Sequence, residues 1–144
     1  MPETRTFSLV KPSAQTPFHI DFAWWKKHDN NWRVFLHDYL CPEHLAMFST
    51  QDNELLIDFV DPITAEIHQI DGLQEKLMNH CSKVDGFVST NHSLVDNVFR
   101  VFLANGNAPL SPLELAELTG KASDTILRLL SGPRVFMGIR PCHL

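Results

Sequence analysis

Apolar positions along this chain recur at two different periods, and the changes of period mark out its elements. Phe22, Trp25, Trp32, Leu36 and Tyr39/Leu40 follow three- and four-residue steps and their multiples, the period of one helical face. Trp24, Val34 and Phe35 widen that stripe, Asp21 is a suitable N-cap, and Ile20 with Trp25 forms a hydrophobic staple. The middle of the segment, Lys26-Lys-His-Asp-Asn-Asn31, is polar and weakly helical, which predicts a kink or a loop between two helices. Cys41-Pro42 ends the helix, because the residue before a proline is pushed out of the α region. A further short turn of helix is expected over 43–48. The period then changes to two. Leu55, Ile57 and Phe59 alternate with polar or acidic residues, Asp61-Pro62-Ile63-Thr64 has turn chemistry, and Glu66–Ile70 can return, so a β-hairpin is predicted at about 54–70. A helix from Gly72 to about Cys81 follows, with Leu73, Leu77 and Met78 inward, and then a linker that carries Phe87 and Val88 into the core.

Past residue 91 the pattern is helical again. Ser93 and Asp96 stand at capping-box spacing before Leu94–Ala104, whose two apolar flanks make it the expected central helix of the C-terminal part. Asn105-Gly106-Asn107 stops it. Leu110–Leu130 reads as two short helices joined by a tight turn. Ser111 and Glu114 form a capping box, Pro112 takes the first helical position, and Leu110 with Leu115 makes a staple. Gly120 suits a left-handed terminus, and Ser123 is the expected cap of the second helix, whose Ile126, Leu129 and Leu130 fall at i, i+3 and i+4. Beyond Gly132-Pro133, Val135-Phe136-Met137 reads as a short strand returning through Gly138 to Ile139-Arg140-Pro141, a minimal wing.

Leu115-Ala116, Gly120 four residues on, Thr125-Ile126, Arg128 and Leu130 together resemble the helix-turn-helix of winged-helix and repressor-type proteins. In that arrangement Ala116 is small because the second helix crosses close by, Gly120 makes the turn, and Ile126 plugs the angle between the helices. The resemblance implies DNA binding, with the second helix in the major groove. Arg128 suits guanine or phosphate, and Lys121, Ser123 and Thr125 suit phosphate, while Arg134 and Arg140 would hold the flanking backbone from the wing. Asp124 and Leu127 depart from a groove reader and equally fit a protein-binding face. The expected function is therefore a small DNA-binding, transcription-regulatory protein. The alternative is a winged-helix protein-interaction or assembly module without DNA binding. DNA binding requires a contiguous positive surface around Arg128, Arg134 and Arg140, whereas the alternative requires an exposed apolar patch beside Leu127.

Charge sharpens this choice. The chain carries a net charge of −5 over 144 residues. Through Asn91 acidic residues outnumber basic ones thirteen to seven, whereas from His92 onward five basic residues meet four acidic ones. Only the helix-turn-helix half could meet a phosphate backbone. The acidic half suits contact with a protein partner or a second copy. A content of 44% apolar and 20% charged residues is that of a globular protein, expected as an arm (1–17), a helical region with a hairpin (18–91) and a winged-helix-like domain (92–144). The expected fold class is α+β and mostly helical. No stretch reads as a membrane span or a signal peptide, so a cytoplasmic location is expected.

Sulfur and imidazole supply the remaining chemistry. Cys41-Pro-Glu-His44 has a C-x-x-H spacing that lets two ligands grip one ion, and His80-Cys81 lies beyond the hairpin. A tetrahedral zinc needs about four such ligands. Cys41, His44 and Cys81 are the first three, with His80, His37 or His92 as the fourth, and the site would be structural. Buried cysteines and solvated histidines at helix ends are the simpler explanation of the same residues. Three cysteines, an odd number, argue against a disulfide framework, and Cys142-His143 reads as exposed tail. No phosphate-cradling glycine loop, H-E-x-x-H motif or paired-carboxylate arrangement is present, so no enzymatic activity is expected.

Overall fold

The structure is a computed structural model that describes residues 11–47 and 56–142. Most of the expected arm, the first residues of the expected hairpin and His143 lie outside the described residues. The architecture is α+β, with seven α-helices and two small antiparallel sheets among the described residues. In chain order these are β1 (Phe18–Ile20), α1 (Phe22–His28), α2 (Trp32–His37), α3 (Pro42–Met47), β2 (Leu56–Val60), β3 (Ile67–Asp71), α4 (Gly72–Asn79), a 3-10 turn (Cys81–Lys83), α5 (Leu94–Ala104), α6 (Pro112–Thr119), α7 (Ser123–Leu130) and β4 (Ile139–Pro141).

Local signals account for most boundaries. The Asp21 side chain accepts from Trp24 N–H at the start of α1, and the polar stretch to Asn31 separates α1 from α2. The Ser111–Glu114 capping box is complete in both directions at the start of α6. Gly120 ends α6 with φ +74°, the left-handed region that a side chain disfavours. Ser93 accepts from Asp96 N–H, but the Asp96 carboxylate turns to Arg100 and His92 and does not close the box. At α7 the expectation fails. Ala122 occupies the cap position with no side-chain bond, and Ser123 is already inside the helix.

One apolar cluster unites the chain. Phe18, Leu36, Leu77, Phe99, Phe102, Leu115 and Ile126 are all fully buried, and α5 contributes Val98, Phe99, Val101, Phe102 and Leu103 as the central helix. Burying each large side chain stabilises by about 2 kcal/mol.

The expected wing is absent. Residues 135–137 form no strand, and Ile139–Pro141 pairs with β1, from the other end of the chain, in the register Phe18↔Pro141 and Ile20↔Ile139. Exposed backbone edges explain the exchange. Phe18 N–H and C=O bond to Leu110, and the side-chain amide of Asn107 accepts from Ile20 N–H and donates to Ile20 C=O, each at 2.8 Å. β1 thus satisfies its backbone on two sides, which a hairpin within 135–141 could not provide. Gly138 permits the junction: it has φ +76°, its carbonyl accepts from Asp21 N–H, and a Cβ there would stand 2.9 Å from that of Trp25.

Candidate metal centre

Two elements bring the sulfur atoms together. Cys41 immediately precedes α3, and its carbonyl accepts from Leu45 N–H at 2.8 Å. His44 lies three residues on, in the first turn of α3, so the two side chains lie on one side of the helix start. Cys81 arrives from α4, whose last residues lead through His80 into the 3-10 turn, and it is fully buried.

A charged clamp fixes α2 against α4, and these are the helices that precede Cys41 and Cys81. Arg33 Nη2 donates to Asp71 Oδ1 at 3.2 Å, and Arg33 Nε stands 3.1 Å from Asp71 Oδ2. Asp71 is 5% exposed and also caps α4 by accepting from Leu73 N–H. Nothing in the sequence signals this pair, because its members are 38 residues apart.

The resulting geometry is a triangle of donor atoms. Cys41 Sγ lies 3.1 Å from His44 Nδ1, Cys81 Sγ lies 3.2 Å from Cys41 Sγ, and Cys81 Sγ lies 3.5 Å from His44 Nδ1. Cys41, His44 and Cys81 are close enough to hold a metal ion. A tetrahedral zinc would separate two sulfurs by about 3.8 Å and sulfur from nitrogen by about 3.5 Å. The triangle matches one edge and falls short on the others by about half an ångström, a spread that a small rotation of half-buried Cys41 and His44 supplies.

Electrostatics divide the two thiols. Desolvation pushes Cys41 up, but hydrogen bonds from His44 and Cys81 and the charge of the imidazole outweigh it and bring the thiol down to about 7. Cys81 is pushed up to about 11, chiefly by burial, with the neighbouring Cys41 and Glu43 charges adding to it. The pair therefore carries one thiolate on Cys41 near neutral pH, with the Cys81 S–H donating to it. Thiolate sulfur and neutral imidazole are the donors a soft or borderline divalent cation takes.

His80 stays outside the triangle. Its exposed ring is tilted by 43° to that of His44, with centroids 5.5 Å apart. His92 is engaged with Asp96 at 3.3 Å, and neither it nor His37 joins the cluster among the described residues. Cys142 is not exposed tail. It is half-buried beside β4, its N–H donates to Pro17 C=O, and burial raises its thiol.

No family model, curated protein or solved structure matches this chain. The helix-turn-helix resemblance therefore rests on the residue pattern of 110–130 alone.

The residues expected at a nucleic-acid face are distributed unevenly. Lys121, Thr125 and Arg128 are exposed on α7 or just before it, with exposed Asp124 among them, and Ser123 is half-buried. Arg134 is exposed and lies over the Phe136 ring at 5.0 Å. Arg140 is half-buried, donates to Asp21 at 2.9 Å and covers the Trp24 ring. Leu127 is half-buried, while Leu113 and Leu118 on α6 are 44% and 54% exposed. No helix among the described residues is long and apolar enough to cross a membrane.

Proposed function

We propose that Cys41, His44 and Cys81 hold a structural zinc ion, and that this ion locks a small helical module whose α6–α7 pair docks a protein partner. The donor triangle carries the zinc reading: two sulfurs and one ring nitrogen lie within 3.5 Å of one another. Zinc is the metal that two thiolates and one imidazole suit best, and the full burial of Cys81 supports a structural rather than a catalytic ion. The fourth position of a structural ion falls to His80, whose ring stands beside that of His44.

Two observations favour a protein over DNA at α6–α7. Arg140 is half-buried and already paired with Asp21, so it offers no free cation to a phosphate backbone. Exposed Leu113 and Leu118 share α6 with Glu114 and Glu117, an apolar and acidic helix that suits a protein partner better than a phosphate backbone.

Competition of the full chain against a chromophoric zinc chelator tests the metal. One zinc per chain is expected, with loss of binding in Cys41→Ser and Cys81→Ser. No uptake, or equal uptake by the variants, would overturn the proposal. Fluorescence anisotropy with a mixed-sequence duplex at low salt tests the face. The expected result is no binding, and salt-sensitive binding abolished by Arg128→Ala would return the DNA reading to first place.

A further inference from the structure

A second site is independent of the thiols. The tryptophan-rich segment of α1 faces a cleft of about 410 Å³ between α1, α2 and the loop leading to β4. Its lining includes Trp24, His28, Asp29, Phe35, Arg134 and Phe136. A volume of this size lies within the range of small-molecule sites. Trp24 is already covered by its neighbours, and Phe35 is the lining ring that stays open. His28 stacks on Trp24 at 4.1 Å with the planes only 14° apart, and Phe35 is 46% exposed, unusual for a phenylalanine. Arg134 rests on Phe136 and has no carboxylate within ion-pairing distance among the described residues. The far wall is strained. Met137 has φ +48°, a conformation that costs a non-glycine residue about 1 kcal/mol or more and that clusters at ligand sites. It is held by Tyr39, whose hydroxyl donates to its sulfur at 3.3 Å, and by the close approach of Gly138 to Trp25.

We propose that this cleft binds a nucleotide, its amino-bearing base lying against exposed Phe35 and its phosphate paired with Arg134. Aromatic faces accept any base by stacking, and an unpaired guanidinium is the donor that suits a phosphate. Asp29 supplies polarity for the base. Its carboxylate accepts from Trp25 Nε1 at 3.3 Å and from Asn31 N–H at 2.9 Å, and keeps capacity for an exocyclic amino group. The chain's overall acidity does not oppose this, because the cation is local and exposed.

Isothermal titration of the full chain with adenosine 5′-monophosphate, adenosine and inorganic phosphate tests the assignment. The monophosphate should bind one per chain, about tenfold tighter than adenosine, with phosphate alone undetectable. Arg134→Ala should bring the monophosphate down to the affinity of adenosine and leave adenosine unchanged. Phe35→Ala should weaken both by about tenfold. Both positions are exposed, so the variants keep the wild-type thermal midpoint. A 5′-phosphorylated oligoadenylate separates the two sources of this chemistry: tighter binding assigns the cleft to a strand end, and equal binding to a free nucleotide. Equal affinity for monophosphate and adenosine, or a monophosphate affinity unmoved by both substitutions, would overturn the proposal.

Discussion

At Cys41 a single side chain feels opposed influences, and the balance decides its reactivity. Burial disfavours the thiolate, while His44 and Cys81 favour it and bring the group from its ordinary 9.0 to about 7. In metal-free protein iodoacetamide should therefore label Cys41 first, with a midpoint near pH 7, while Cys81 and Cys142, both raised by burial, react only at higher pH. Peptide mapping after brief labelling checks this, and first labelling at Cys81 or Cys142 would contradict it. The sign of the pH dependence follows from the same shifts. A depressed acid stabilises the folded state above its unfolded value and loses that contribution as pH falls through the folded value, so the Cys41 contribution disappears below about 7. Cys81 behaves oppositely: its raised value favours the folded state below 9.0, and this is lost as pH rises through about 11. Zinc must displace the Cys81 proton at neutral pH and both protons in acid, so its affinity should fall steeply below pH 7. The C-x-x-H half of the site was legible because its spacing is local. Cys81 was legible with it, but the choice of a fourth ligand among His80, His37 and His92 was not, because it depends on how α4 ends and where the other helices lie.

At the scale of elements, the Arg33–Asp71 clamp aligns the two helices that deliver the sulfurs. Replacing Arg33 by Met leaves a carboxylate 5% exposed without its cation and should cost about 3 kcal/mol, read as a lower denaturation midpoint. Glycine positions give a finer comparison. Gly120→Ala meets open space and suffers only the left-handed backbone, about 1 kcal/mol, whereas Gly138→Ala also drives a methyl to 2.9 Å from Trp25 Cβ and should cost more. Equal losses in chemical denaturation would contradict the packing described for that junction. The caps at Asp21 and Ser111, the hairpin and the helix stripes were readable because they depend on residues three or four apart, or on strict alternation. The wing was misread because Val135-Phe136-Met137 has strand composition without strand partners, and the partner of Ile139–Pro141 lies at Phe18–Ile20.

For the molecule as a whole, β1–β4 pairing and one continuous apolar cluster tie the N-terminal helices to the α6–α7 pair. A metal linking α3 to the end of α4 therefore acts on the whole fold. Zinc at a hundredfold excess over its dissociation constant should raise stability by about 2.7 kcal/mol, seen as a higher melting temperature that a chelator reverses. This long-range closure left no local pattern, and only α5, apolar on two flanks, marked where the centre lies. The most direct test is the absorption spectrum of the full chain titrated with cobalt(II) in place of zinc. A 1:1 complex with intense visible bands and sulfur-to-cobalt charge transfer, lost in Cys41→Ser and in Cys81→Ser, is the predicted result. A weak octahedral spectrum without charge transfer, identical in wild type and variants, would contradict the metal centre.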